Sequence, residues 1–189
     1  MNTAPSQAQR PIGVISPGLD GRVGLTGWAG HEVLEWPDGA TMARDIGSAC
    51  ADDRVVVRWV GGALLSDLSL QENLYLESAL STRSAPDWLW RDLGDLFAAA
   101  GAPIADDWAA VRPGQAAPLA RWQARVGRAL AADPDALLID ADAWPDDVVS
   151  PEGFSRAFLH CYPWRALAWC SADPKRVRGL RERLAGVDA

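Results

Sequence analysis

The chain has 189 residues, 49% of them hydrophobic, which is enough for one domain with a sizeable core. Its formal net charge of −7 offers no basic stripe for phosphates, which argues against a nucleic-acid partner and against an anionic membrane surface. No apolar run approaches the roughly 18 residues of a membrane span, and the opening MNTAPSQAQRP lacks the apolar core of a signal peptide, so direct membrane insertion is not expected and a cytoplasmic location is.

Residues 1–10 are polar and aperiodic, as in a flexible tail, and 11–189 read as a single domain. Three short β-type runs follow, at 12–15, 22–26 and 32–36, with a turn at Pro37-Asp-Gly39; their glycine-rich spacing predicts a small antiparallel meander. Residues 40–52 predict a short helical segment or a loop. Arg54-Val-Val-Val-Arg-Trp59 alternates and is β-branched, which predicts a strand. Asn73, Leu74, Leu76 and Leu80 share helical spacing over 70–80, Trp88, Leu89, Leu93 and Leu96 over 87–100, and a shorter helical stretch with Trp108 spans 106–111. Leu119, Trp122, Val126, Ala129 and Leu130 make the apolar stripe of an amphipathic helix whose Arg121, Arg125 and Arg128 lie on another side. Asp133-Pro134 ends it. Ala136-Leu-Leu-Ile139 is an unbroken apolar run leading into Asp140, as for a strand buried on both faces of a parallel sheet, with a carboxylate at the end where α/β proteins bind ligands. A helix over 151–162, a buried strand over 166–171 and a basic helix over 174–184 complete the series.

Two counts bear on chemistry. The chain has ten tryptophans, which points to large apolar contacts in the core or at an interface. Its only lysine, Lys175, has no glycine before it, whereas a phosphate loop of the form G-x-x-x-x-G-K-[ST] needs both. No phosphate loop of the usual kind is present. Cys50, Cys161 and Cys170 lack C-x-x-C spacing and support neither a disulfide framework nor a zinc site; no metal ligand set is expected. His31 and His160 read as ordinary surface or helix residues.

The text of two stretches is more specific than its periodicity. Arg128 to Asp140, RALAADPDALLID, resembles the segment between the signature motif and the Walker B strand of ATP-binding cassette (ABC) ATPases, which power membrane transporters. Gly62-Ala-Leu-Leu-Ser-Asp-Leu-Ser69 with Glu72-Asn73 resembles the Q-loop and its sequel in the branch of that family that drives Mla- or Mce-type lipid permeases. Gly30 to Gly39 resembles the strand that follows the family's nucleotide-loop helix, an alignment on which loop and helix are deleted. A competing alignment puts Val23 to Gly30 on a decayed phosphate loop that keeps Gly27 and Gly30. The resemblance covers roughly Gly30 to Asp173. It implies a reduced α/β fold of the ABC type with a mostly parallel core sheet: a β-rich part over 11–60, a helical subdomain over 70–118 and an α/β core over 119–189.

The same resemblance locates where the chemistry should be. The glutamine that senses the γ-phosphate falls on Val60, the signature serine on Ala117 beside Pro118, the catalytic glutamate on Ala141 and the histidine on Ala172. Each replacement lacks the needed donor or acceptor. Phosphoryl transfer depends on positioning and electrostatic stabilisation, so no catalytic residue, no bound nucleotide and no cofactor are expected, with Asp140 the one residual Walker B candidate. The expected function is that of a non-catalytic subunit that docks on a membrane permease or pairs with an ABC ATPase, peripheral to the inner membrane through that partner, a dimer being one form of such pairing. Gly62, Leu64, Leu65, Trp88, Trp90 and Trp108 are the partner-facing candidates. Two alternatives stand beside it: a divergent hydrolase using an unfamiliar loop near Gly27 to Gly30, and a freestanding regulatory interaction domain.

Overall fold

The structure, a computed structural model, describes residues 13–17, 23–27, 30–50, 56–80 and 88–187. The expected N-terminal tail lies outside them. Four parallel strands form the main sheet in the order β3 (Gly30–Glu35), β6 (Ala166–Ser171), β5 (Ala136–Asp140), β4 (Val57–Val60). A separate hairpin pairs β1 (Gly13–Pro17) with β2 (Val23–Gly27), antiparallel, with Gly13 opposite Gly27. Among the described residues six helices accompany the strands: α1 (Gly39–Cys50), α2 (Leu70–Leu80), α3 (Trp88–Ala99), α4 (Pro118–Leu130), α5 (Pro151–Cys161) and α6 (Pro174–Leu184). A single 3-10 turn at Trp108–Ala110 stands for the third helical stretch. None of the described helices is long and apolar enough to cross a membrane.

The period of two along each strand divides the core. Leu137 and Ile139 of β5, with Leu167 and Trp169 of β6, face the larger cluster, built with α2 to α6. Ala136 and Leu138, with Ala166, Ala168 and Cys170, face the opposite side, where Leu34 of β3, Trp36 of the turn after it and Ile46 of α1 complete the cluster. Both faces of β5 and β6 are therefore buried, the condition that an unbroken apolar run anticipates. The larger cluster centres on aromatic side chains. Trp144 lies 4.9 Å from both Phe154 and Trp169 and 5.1 Å from Trp122, centroid to centroid, in tilted and edge-on contacts worth about 0.5–1.5 kcal/mol each beyond the area they bury. Gly127 sits where α4 meets α2 and α3: a Cβ there would fall 2.6 Å from Leu74 Cδ1 and 2.9 Å from Leu93 Cδ2. Absence of a side chain is what lets these helices approach.

One expectation for the N-terminal part is corrected and another, left between two options, is resolved as a helix. Gly30–Glu35 is no third strand of a meander: it runs parallel to β6, with Val33 opposite Trp169. Residues 40–52, expected as a short helical segment or loop, carry most of the 12-residue helix α1. The alternation of Glu32, Val33, Leu34 and Glu35 suits either kind of strand, and the partner lies more than 130 residues away. What was read as the β-rich part thus supplies both edge strands of the main sheet and one covering helix.

A candidate functional site at the carboxyl edge of the sheet

Because the four strands are parallel, their carboxyl ends share one edge. The register sets Glu35 opposite Ser171, Asp140 opposite Cys170 and Val60 opposite Ile139. The turns after these residues therefore meet where open α/β sheets bind ligands. Sequence reading placed Val60, Asp140, Ala141 and Ala172 at a common site, and the fold does bring their backbones to this edge. Ala117 stands apart, at the N-terminus of α4.

The connection from β3 to α1 has the strand–turn–helix form in which phosphate loops occur. Neither sequence alignment of this region holds as written, since Gly30–Glu35 leads into a full helix, while Val23–Gly27 is an arm of the β1–β2 hairpin. The helix is present and the turn is short. It consists of Trp36, Pro37 and Asp38 alone. Trp36 is 1% exposed, and its indole Nε1 donates to Asp45 Oδ2 at 3.2 Å, pinning the turn to the second turn of α1. Pro37 has no N–H to offer a phosphate. Asp38 caps the helix: Thr41 N donates to Oδ1 at 2.8 Å and Thr41 Oγ1 to Oδ2 at 2.9 Å. The Thr41 backbone N–H, foremost, holds the Asp38 carboxyl below its ordinary value. A helix N-terminus attracts anions through free N–H groups and the macrodipole. Here a carboxylate of the chain already occupies that position.

At the end of β5, Asp140 is half-buried. Its Oδ1 accepts from Asp142 N at 3.1 Å and Ala143 N at 3.3 Å, so it organises its own turn. Burial pushes its pKa up, against those hydrogen bonds, which pull it down. Ala141 has no exposed surface; its N donates to Cys170 O at 3.0 Å, and its carbonyl accepts from Arg176 Nε at 3.0 Å and Nη2 at 2.8 Å. A methyl group in that setting neither reaches a water nor transfers a proton. Asp142 turns to β6, accepting from Ser171 Oγ at 2.5 Å and Ala172 N at 3.4 Å. Asp173 then caps α6 through Lys175 N at 2.9 Å.

At the end of β4, Val60 is fully buried in the large cluster. The segment that follows is held from inside. Asn73, with no exposed surface, accepts from Leu65 N at 2.7 Å and donates through Nδ2 to Leu65 O at 3.0 Å, Ser69 O at 2.9 Å and Leu68 O at 3.3 Å. Ser69 and Glu72 form a reciprocal capping box at the start of α2, Ser69 N donating to Glu72 Oε2 at 2.7 Å and Glu72 N to Ser69 Oγ at 3.2 Å. Arg128 of α4 reaches Ala63 O at 3.1 Å and Gly61 O at 3.4 Å. Gly62 takes φ of +72°, a left-handed conformation that glycine adopts freely. Asn73, Glu72 and Arg128 are thus positioning residues, a role the sequence analysis did not assign. Ser-x-x-Glu before an apolar run was the signal that could have found the cap.

The partner-facing candidates separate. Leu65 is 49% exposed and Gly62 is exposed, whereas Leu64 is half-buried against the core. Trp88 and Trp90 are also half-buried; Trp90 stands edge-on to Tyr75 and Trp108 and donates to the Tyr75 hydroxyl. Trp108 does not face a partner: it is 2% exposed, and its Nε1 donates to Ala120 O at 3.0 Å. Helical spacing alone does not say which tryptophan points inward. Ala117, before Pro118, contributes no side-chain cap to α4, and Arg121 folds back onto Ala116 O at 3.1 Å. Among the described residues no group of three or more His, Cys, Asp or Glu side chains is placed to hold a metal ion.

No family model matches the chain, and no curated protein matches it. Solved structures do. The dimeric structure of MJ0796, a bacterial ABC transporter cassette, superposes with a TM-score of 0.56 at 14% identity over 89% of each chain. The dimeric post-hydrolysis state of the same cassette, bound to ADP and Pi, gives 0.53 at 16% identity over 79% of this chain and 77% of that one. The chain has the fold of an ABC transporter ATPase cassette, an α/β fold with a parallel core sheet.

Proposed function

We propose that this protein is a non-catalytic cassette, a pseudo-ATPase that keeps the shape of an ABC subunit and works by docking. Its partner is a membrane permease or a second, ATP-hydrolysing cassette, in transport of the Mla-like lipid or organic-solute class, and it sits at the inner membrane through that partner. The observation that carries the reading is the Asp38 cap: the end of α1, reached directly from the parallel strand β3, already holds an anion in a turn three residues long. A nucleotide phosphate at that end would meet a carboxylate, Pro37 without a donor, and no lysine. Ala141 and Val60 support the reading, since both are fully buried apolar side chains. On the docking side, the support is the segment 61–69, internally fixed by Asn73 and presenting Leu65 to solvent. Pairing with another cassette rests on likeness to MJ0796, which is described as dimeric.

The test is calorimetry and thermal shift with Mg-ATP. Ligand binding to the native state raises the melting temperature by mass action, by RT ln(1 + [L]/Kd) in free energy. No heat and no shift at millimolar nucleotide are expected. A saturable shift with phosphate release abolished in Asp140→Asn would overturn the reading in favour of a divergent hydrolase. Capture from native membranes should retain a permease or an ABC subunit; recovery of neither would leave a freestanding interaction domain.

A further inference from the structure

The segment between β5 and α5, residues 141–150, is fastened at more points than its length requires. Asp142 ties it to Ser171 and Ala172 at the end of β6. Trp122 of α4 donates from Nε1 to Ala143 O at 3.0 Å, and Trp144 Nε1 donates to Val149 O at 2.7 Å while its ring fills the centre of the aromatic cluster. The strongest tie is ionic. Arg176 of α6 spreads one guanidinium over Ala141 O and both carboxylate oxygens of Asp146, bonding Oδ1 from Nη2 at 2.8 Å and Oδ2 from Nη1. Arg183, two turns further along α6, bonds Asp146 Oδ2 at 3.3 Å from Nη1 and grips Glu152 of α5 through Nε and Nη2, the latter at 3.0 Å.

Charge-assisted bidentate bonds in a partly buried setting are among the stronger polar contacts, because the planar fork fixes direction as well as charge. Arg176 and Arg183 have raised pKa values, first through their hydrogen bonds to Asp146 and Glu152 respectively, and Glu152 has a lowered one through Arg183. Segments that switch with a ligand are drawn from the weakly held parts of a fold. This one is held by β6, α4, α5 and α6 together.

We infer that Arg176 is a built-in cation that fixes the 141–150 segment in a single conformation, so that the turn after β5 is a permanently set element and not a ligand-gated one. The exposed tip of that segment, Asp147 and Val148, is then offered to any neighbour in one constant geometry. The inference does not depend on whether a nucleotide binds.

Hydrogen exchange on the full chain reads it directly. The amides of Ala141, Val148 and Val149, which donate to Cys170 O and Pro145 O, report on the segment; those of Leu138 and Trp169 report on the sheet. In the native protein the segment amides should be protected to within about tenfold of the sheet amides. Arg176→Gln should lower segment protection at least about tenfold and leave the sheet ratio unchanged. Arg176→Lys keeps the charge but not the fork and should also lower it, by less; this variant serves if the glutamine protein does not fold. Near-unprotected segment amides in the native protein, or equal protection in all three proteins, would overturn the inference. So would a change in segment protection on adding Mg-ATP. If ATP binds and phosphate is released while segment protection stays constant, the lock stands and the non-catalytic reading falls; the two failures are therefore distinguishable.

Discussion

Replacing Asn73 by alanine isolates the residue that shapes the segment after β4. The side chain has no exposed surface and makes four hydrogen bonds, one accepted from Leu65 N and three donated to the carbonyls of Leu65, Leu68 and Ser69. The amide orientation is fixed by its partners, because only the NH2 group can serve three carbonyls. Two N–H groups shared among three acceptors, plus one accepted bond, amount to about three effective bonds at roughly 1 kcal/mol each, so Asn73→Ala should cost about 3 kcal/mol. For a domain of this size the melting temperature should fall by about 6–12 °C. Urea denaturation followed by tryptophan fluorescence gives the free energy, with the slope of the transition checking that the denatured state is unchanged. Asn73→Asp keeps the acceptor for Leu65 N but points a charge at three carbonyls, and should cost at least as much. A loss below about 1 kcal/mol for Asn73→Ala would refute the reasoning, because it would mean that water replaces those bonds or that the segment is not held from within.

Gly127→Ala sets helix propensity against space. Alanine gains about 1 kcal/mol in a helix interior, but its methyl would press on Leu74 and Leu93, at a cost of about 1–3 kcal/mol; net destabilisation by urea titration is expected, and a stabilised variant would show that α2 and α3 yield freely. Trp144→Ala should cost about 3–5 kcal/mol and abolish most near-ultraviolet dichroism, since Trp144 touches Trp122, Phe154 and Trp169. Stability against pH should show opposing carboxylates. Asp38, Glu72 and Glu152 have folded pKa values below their ordinary 3.8, 4.5 and 4.5, so their contribution is present above those values and lost as pH falls through the folded ones. Asp140 is raised above 3.8, so its ionisation costs stability as pH rises through its folded value. Asp140→Asn should therefore be neutral or stabilising near neutrality, its advantage vanishing below about pH 4; urea midpoints across pH measure this, and a variant less stable than the parent at neutral pH would contradict it.

The C-terminal half was legible because its signals are local and agree with one another. The strand Ala166–Ser171 and the helix Pro174–Leu184 match the apolar runs and periodicity to the residue, and α4 and α5 begin at a proline that suits the first helical turn. The N-terminal half was misread because its decisive contact is remote. Nothing in Gly30–Glu35 states that its partner is β6, and α1, with Gly39, Gly47 and Ser48 in its text, is a weak helix former that packing over Leu138 and Cys170 makes stable. At the candidate site, the side chains at Val60, Ala141 and Ala172 were readable as such. The Asp38 cap was not, because an Asp before a helix is common and only the topology gives this one its meaning.

The three-residue turn between β3 and α1 also bears on reversibility. A lost lysine or glutamate can be restored by one codon change, and proteins disabled only in that way remain one step from activity. Here the connection is only three residues long, and its first residue, Trp36, is buried and hydrogen-bonded to Asp45 of the helix. A phosphate cradle at this turn would need inserted residues, a freed indole and removal of the capping carboxylate together. On the proposed non-catalytic reading, a return to phosphate binding at this turn therefore takes several coordinated changes and not one.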